Sequence, residues 1–300
     1  MEALDLRHIR EEFRPYATLP DEDRIRFTRT DLWIPYTDAE AILSRCESIL
    51  EAPRSIRPEN LLIVAPSNNG KSSLLRQFRD RHPPNDNPGG DAAIVPVLLI
   101  ENPPKPEEGR LYEAILQAIN APHKIIGTAG EKEALVRQDL MRLQTRVLLL
   151  DEFHDVLAGG PRQQQLLFNV LKKFGNILQI SIIAAGTADA EHALRRDIQL
   201  DNRFEKRPLN YWGADRAFAQ MALEIVSVLP LRKPSTIKDP AILRRIHARS
   251  QGTLGSMNAI LRKAAIYAIQ KGSECIDLDA IENSEYQEPS VSAAKQLRRK

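Results

Sequence analysis

At 300 residues the chain exceeds the usual size of one domain, and 42% hydrophobic with 27% charged residues is the composition of a soluble globular protein. No apolar run approaches the ~18 to 20 residues of a membrane-spanning helix, and the opening MEALDLRHIREEF lacks the pattern of a secretion signal, so a cytoplasmic protein is expected. A net charge of +2 excludes a chain coated in basic residues, and two cysteines, Cys46 and Cys275, without metal-type spacing exclude a disulfide scaffold or a zinc site.

In chain order, residues 1–36 read as an N-terminal extension. Thr37 and Glu40 then have capping-box spacing ahead of the stripe Ile42, Ile49 and Leu50, which predicts a helix. Four short apolar runs follow, at 61–64, 94–100, 147–150 and 177–185, with helical patterns between them. They are apolar at consecutive positions, as in parallel strands covered by helices on both faces. Leu111, Ile115 and Ile119 mark one intervening helix; Leu167, Leu171 and Phe174 mark another after Pro161. A weaker fifth strand is expected at 208–212, opening on a proline. Beyond Trp212 only helical patterns remain, at 216–229, 241–250 and 257–271. The expected architecture is α/β: a parallel five-stranded sheet flanked by helices over 37–212, a small C-terminal helical subdomain over 213–286, and a basic mobile tail over 287–300.

The strongest motif is Ala65-Pro66-Ser67-Asn68-Asn69-Gly70-Lys71-Ser72-Ser73, between the first strand and a helix expected over 72–81. It matches the phosphate-binding loop G-x-x-x-x-G-K-[ST], with Ala65 in place of the first glycine. Gly70 lets the backbone N–H groups curl toward phosphate oxygens, and the helix N-terminus adds positive potential. Lys71 reaches the terminal phosphates and the Ser72 hydroxyl ligates Mg²⁺. Asp151 and Glu152 close the apolar run at 147–150; Asp151 is placed to hold Mg²⁺ through water and Glu152 to polarise an attacking water. Taken alone, this pair also fits a helix-capping acid pair. Thr187, after the fourth run, suits either a γ-phosphate contact or a helix N-cap. Arg203 suits either an arginine finger reaching a neighbour's γ-phosphate or a surface residue, with Arg195, Arg196 and Arg207 as competitors. Asp151 to His154 also spells the D-E-x-H box of helicases, but the helical remainder leaves no room for a second such lobe, so His154 reads as a loop or helix-start residue.

With these residues in place the chain resembles the TniB and TnsC group of AAA+ transposition regulators, and TniB most closely. The resemblance runs through WIPYTDAEAILSRCESIL, LLIVAPSNNGKSSLLRQF, VLLLDEFHDVL, SIIAAGT, LDNRF and SQGTLGSMNAILRKAAIYAI. It implies an AAA+ P-loop NTPase core with a helical lid, ATP and Mg²⁺ bound between subunits, and a ring or helical filament of identical chains on double-stranded DNA. Lys71 and Ser72 correspond to Walker A, Asp151 and Glu152 to Walker B, Thr187 to sensor 1 and Arg203 to the arginine finger. The lid departs from the pattern. Where relatives often carry a sensor 2 arginine, this chain reads Gly255-Ser256-Met257, with the next basic residues at Arg262 and Lys263.

The segment after the second strand lines the DNA-facing side in similar proteins. Here it carries Lys105, Arg110, Lys124, Thr128 and Lys132, suited to sequence-tolerant phosphate contacts or to an ordinary charged helix face. Trp33, Ile34 and Tyr36 suit the wall of an adenine pocket or a core. The implied activity is an ATPase switch that recruits a transposase and a TniQ-like partner to target DNA. A loader of a replicative helicase or clamp, and a non-hydrolysing scaffold gated by nucleotide, are the rival readings.

Overall fold

The computed structural model describes residues 4–121 and 127–287. In chain order the helices are α1 (Arg14–Ala17), α2 (Asp21–Thr28), α3 (Thr37–Glu51), α4 (Lys71–Arg81), α5 (Glu108–Ala118), α6 (Ala129–Arg142), α7 (Pro161–Lys173), α8 (Ala188–Leu194) and α9 (Ile198–Asp201). They continue as α10 (Arg216–Val226), α11 (Pro240–Ser250), α12 (Leu254–Lys271) and α13 (Leu278–Asn283). The strands are β1 (Asn60–Val64), β2 (Val97–Glu101), β3 (Val147–Asp151), β4 (Ser181–Gly186) and β5 (Phe204–Pro208). Two compact units result: Pro35–Asn210, and Met1–Ile34 with Tyr211–Lys300. The N-terminal extension therefore groups with the C-terminal helices.

Unit Pro35–Asn210 is built on one parallel sheet of order β2-β3-β4-β1-β5. Leu61 to Ile63, Leu148 to Leu150 and Ile182 to Ala184 are all buried, which explains consecutive rather than alternating apolar residues: both faces of these strands meet helices. Burial of such side chains, each stabilising by about 1.5 to 3 kcal/mol, fixes the register that brings the carboxyl ends of β1, β3 and β4 together. Among the helices, Leu111, Tyr112, Ile115, Leu167 and Leu171 supply the buried stripes.

Three sequence expectations need correction. The fifth strand is Phe204–Pro208, not 208–212; only Phe204 is buried, and Glu205, Lys206 and Arg207 make it a charge-rich edge. Charges on an edge strand discourage pairing with another chain, and they also hide the strand from an apolar search. Residues 177–180 are not strand: Phe174–Leu178 forms a π turn and Gln179, at φ 54°, reverses the chain before β4. Thr37 and Glu40 form no capping box, because Tyr36 is the N-cap of α3 and Thr37 is already helical. The capping box stands instead at α6, where Thr128 Oγ1 accepts from Glu131 N and Glu131 Oε2 accepts from Thr128 N.

In the other unit, α2 is a polar helix carrying a fully buried arginine. Arg24 donates to both oxygens of Glu274 (2.6 and 2.7 Å), to Asp21 Oδ1 (2.7 Å) and to the Pro230 carbonyl (3.1 Å). A buried guanidinium is tolerated only when paired in this way. Gly252, at φ 69°, is required where it stands, because a Cβ there would meet the Trp212 carbonyl oxygen at 2.6 Å. Among the described residues no helix is long and apolar enough to cross a membrane. The basic tail beyond residue 287, like Lys124, lies outside the described residues.

Candidate nucleotide-binding site

The loop 65–70 leaves the carboxyl end of β1, where Ala65 N donates to Gly186 O (3.0 Å), and runs into α4. Two of its residues are left-handed: Asn68 at φ 60° and Gly70, the N-cap of α4, at φ 88° and ψ 8°. Alternation of this kind turns successive N–H groups toward one concavity, the geometry of an anion nest. Asn69 is buried and donates Nδ2 to the carbonyls of Leu209 (3.1 Å) and Asn210 (2.9 Å), which ties the loop to the chain leaving β5. Ser67 and Asn68 are exposed, Ser72 is half-buried and Ser73 is exposed.

Lys71 is 5% exposed, and its Nζ donates to the carbonyls of Ala65 (3.2 Å) and Pro66 (2.9 Å). Burial lowers its pKa, while the charges of Glu152 and Asp151 act the other way. The register explains the second effect. β3 delivers Asp151 at the sheet's carboxyl end, opposite Glu101, and Asn102 N donates to Asp151 O (2.9 Å). Asp151 Oδ1 accepts from Glu152 N (2.9 Å), and Glu152 takes a left-handed conformation at φ 51° that turns the chain out of the strand. Strain at a non-glycine residue is a feature of functional turns. His154, in the 3-10 turn Phe153–Ala158, brings Nδ1 to 3.1 Å from Glu152 Oε2, off the hydrogen-bonding direction.

Thr187 is at the N-cap position of α8, yet its hydroxyl makes no cap hydrogen bond. Its Oγ1 is buried without a partner among the described residues. Because β4 lies between β3 and β1, this orphan hydroxyl follows the strand flanked by the Asp151 strand and the Lys71 strand. Gly186 before it must be small: a Cβ there would lie 2.6 Å from Ala190 Cβ. One further residue escaped the sequence reading. Asn102 is 2% exposed and its Oδ1 has no partner. A polar residue directly after an apolar strand, beside the acid-bearing strand, was the available signal.

These groups fit a nucleotide phosphate with Mg²⁺: a nest of N–H groups, a buried lysine held only by carbonyls, one hydroxyl, one strand-end carboxylate and two orphaned polar atoms. Among the described residues no cluster of three His, Cys, Asp or Glu side chains forms a dedicated metal cage. Mg²⁺ does not need one, since it keeps several waters and takes few protein ligands beside substrate phosphates.

Arg203 precedes β5 at the opposite end of the sheet and donates to Asn176 Oδ1 (2.9 Å). Of its competitors, Arg195 pairs with Glu191 and Arg207 with Glu205, while Arg196 donates to the Gln164 amide. Trp33 and Ile34 close one unit and Tyr36 caps α3 in the other. Ile34 is buried, in company with Phe27, Ile225 and Leu229; burial pushes the Tyr36 hydroxyl up to about 12. Lys105 is exposed, and Arg110 is exposed with Glu107 as its partner (2.9 Å). Thr128 is spent on the α6 capping box. Lys132 is a correction: it is 7% exposed and paired with Glu113, so it is not the surface cation its sequence position suggests. Arg262 and Lys263 are held within their own unit by Asp31 and Thr30, and by the Glu285 carbonyl.

Comparison with solved structures gives the same architecture at low identity. An ORC2 protein of Aeropyrum pernix, determined as ADPNP–ADP complexes, matches with a TM-score of 0.64 at 15% identity, over 90% of this chain and 73% of that one. The A. pernix ORC1 protein in complex with DNA matches with a TM-score of 0.59 at 18% identity, over 91% and 69%. The Thermotoga maritima RuvB Holliday junction branch migration motor matches with a TM-score of 0.53 at 14% identity, over 85% and 71%. The fold is thus that of AAA+ P-loop NTPases. No curated protein matches the chain. The sequence profile described as "Bacterial TniB protein" matches residues 24–214, well over half of the chain, and the chain belongs to the TniB family.

Proposed function

We propose that the chain is an ATP-hydrolysing regulator of DNA transposition that assembles on duplex DNA through nucleotide sites shared between subunits. The observation that carries the reading is the convergence of Lys71, the Asp151–Glu152 pair and the orphaned Thr187 hydroxyl at the carboxyl ends of three adjacent strands, in a chain of the TniB family. Lys71 exchanges the Ala65 and Pro66 carbonyls for the terminal phosphates of ATP, and the N–H groups around Gly70 hold the bridging oxygens. Ser72 and Asp151 are the residues that would hold Mg²⁺, which would supply charge neutralisation at the phosphate oxygens. Glu152 orients and polarises the attacking water; Thr187 donates to the γ-phosphate. Tyr36, which precedes α3 in the same unit as the loop 65–70, is proposed to meet the adenine.

Arg203 cannot serve its own site. It stands at the start of β5, while the loop 65–70 follows the end of the paired strand β1, a separation of roughly 16 Å for five residues at about 3.3 Å each. It is proposed to act on the nucleotide of a neighbouring copy, so that ATP bridges a ring or filament and hydrolysis loosens it. Lys105 and Arg110 are the described residues proposed to meet DNA phosphates. Recruitment of a transposase and a TniQ-like protein is part of the same proposal, and membership of the TniB family supports it. The fold relatives seen with ADPNP–ADP and with DNA support the ligand classes.

Phosphate release tests the enzymatic half. The wild-type chain is expected to turn ATP over with stimulation by duplex DNA, and Glu152→Gln to lose at least about 100-fold of that rate while still binding ATP. Absence of turnover in the wild type, with ATP bound, replaces this reading with a nucleotide-gated scaffold.

A further inference from the structure

At the end of the sheet opposite the candidate nucleotide site, a cavity of about 200 Å³ opens between the segment after α3 and the first residues of β3 and β4. Its wall carries three guanidinium groups, Arg54, Arg57 and Arg146, with the hydroxyls of Ser55 and Ser181 and one carboxylate, Glu59. Two of the arginines are anchored without being neutralised. Arg54 donates Nη1 to the Leu178 carbonyl (3.1 Å) and Nη2 toward that of Thr145 (3.4 Å), and Arg146 donates to the Ala52 carbonyl. A carbonyl fixes a guanidinium's orientation but carries no charge to offset it, and each guanidinium has five N–H donors.

Among the described residues, no carboxylate lies within ion-pairing distance of Arg54, Arg57 or Arg146. Glu59 is already matched by Arg45, whose second partner is Glu205 at 2.7 Å. The Arg57 side chain has no hydrogen-bond partner among the described residues, and Ser55 Oγ accepts from Arg57 N (3.2 Å), which leaves its O–H free to donate. Three positive charges therefore face one polar concavity. A partner carboxylate would neutralise only one of them; a phosphate group, with up to two charges and three acceptor oxygens, suits the set, and guanidinium forks bind it bidentately.

We propose that this cavity is a second phosphate-binding site, independent of the loop 65–70. It also adjoins the Arg203 face: a Cβ on Gly175 would sit 3.4 Å from Pro58, a lining residue, and 3.7 Å from Arg203 Nη1. Occupancy therefore adds negative charge on the surface that presents Arg203. The phosphate comes either from a free phosphate or oligophosphate, or from adjacent phosphodiesters of a nucleic-acid backbone, which bring one negative charge each.

The test is calorimetric titration of the full chain, saturated with ADP, with inorganic phosphate, pyrophosphate and a short DNA duplex. Arg57→Ala removes a side chain with no protein partner and so leaves the fold intact; Arg54→Gln with Arg146→Gln removes the anchored pair. Phosphate or pyrophosphate affinity is expected to fall at least about tenfold in each, the loss of a charge-assisted hydrogen bond, with ADP affinity unchanged. If duplex affinity falls too, and its salt slope drops by about one per arginine, the phosphate is the DNA backbone. If duplex binding is unchanged while phosphate binding is lost, the ligand is free phosphate. Binding of all three ligands that is equal in wild type and Arg57→Ala, or absent from the wild type, overturns the proposal. Should ADP fail to bind, the nucleotide reading fails, and the arginine dependence of phosphate binding is still read.

Discussion

At the scale of single residues, the candidate site includes two buried polar atoms that the folded chain leaves unsatisfied, Thr187 Oγ1 and Asn102 Oδ1. Thr187 buries a hydroxyl with no partner, which costs the fold about 1 to 3 kcal/mol relative to a paired hydroxyl. A residue retained at such a cost points to a ligand. Thr187→Val, equal in shape, is expected to leave the unfolding free energy unchanged or raise it by about 1 kcal/mol, while ATP turnover falls at least about tenfold. Chemical denaturation and phosphate release check the two halves, and a clear loss of stability would mark Thr187 as a structural residue instead. The placement of Lys71, Ser72, Asp151 and Glu152 at the ends of apolar strands was legible in the sequence because it rests on contiguous spacing. Asn102 and Lys132 were not. The orphaned side-chain oxygen of Asn102, beside the Asp151 strand, and the burial of Lys132 against Glu113 depend on neighbours distant in sequence, which no local pattern reveals.

At the scale of elements, legibility followed burial. The strands β1, β3 and β4 are buried on both faces and stand out as apolar runs; β5 is an edge held by charge and was placed one strand-length too late. Arg45 on α3 holds it, donating Nε to Glu205 Oε2 (2.7 Å) and pairing with Glu59. The Arg45 guanidinium, ahead of Arg207, keeps the Glu205 carboxyl below its ordinary range. A carboxyl depressed in the folded state contributes stability above its unfolded pKa and loses it as pH falls through the folded value. Arg45→Met is therefore expected to cost about 0.5 to 1 kcal/mol at neutral pH, with the difference from wild type vanishing in acid below the folded pKa of Glu205. Denaturant midpoints across pH 3 to 7 check this; a difference that persists in acid means that Arg45 acts through packing of its stem. The misplaced capping box teaches a related lesson. Thr37 and Glu40 have the same spacing as Thr128 and Glu131, but Tyr36 takes the cap and puts Thr37 inside the helix.

At the scale of the molecule, the division into Pro35–Asn210 and a unit formed from both ends of the chain was only half legible. The helical run after Trp212 was visible, whereas the membership of residues 4–34 rests on pairings such as Arg24 with Glu274, which a polar helix does not advertise. The proposed assembly requires two copies per complete site, because Arg203 and the loop 65–70 lie at opposite ends of the sheet. Mixing restores what each variant lacks. Arg203→Ala and Glu152→Gln are each expected to be inactive alone, and their mixture to regain a measurable fraction of turnover, since an intact site on the first chain meets Arg203 on the second. No recovery on mixing would place the stimulating charge elsewhere. The most direct test of the whole account is sedimentation with duplex DNA in the presence and absence of ATP. The wild-type chain is predicted to co-sediment as a large assembly only with ATP, and Lys71→Ala not to do so with either; normal ATP-dependent assembly of Lys71→Ala would contradict the nucleotide switch.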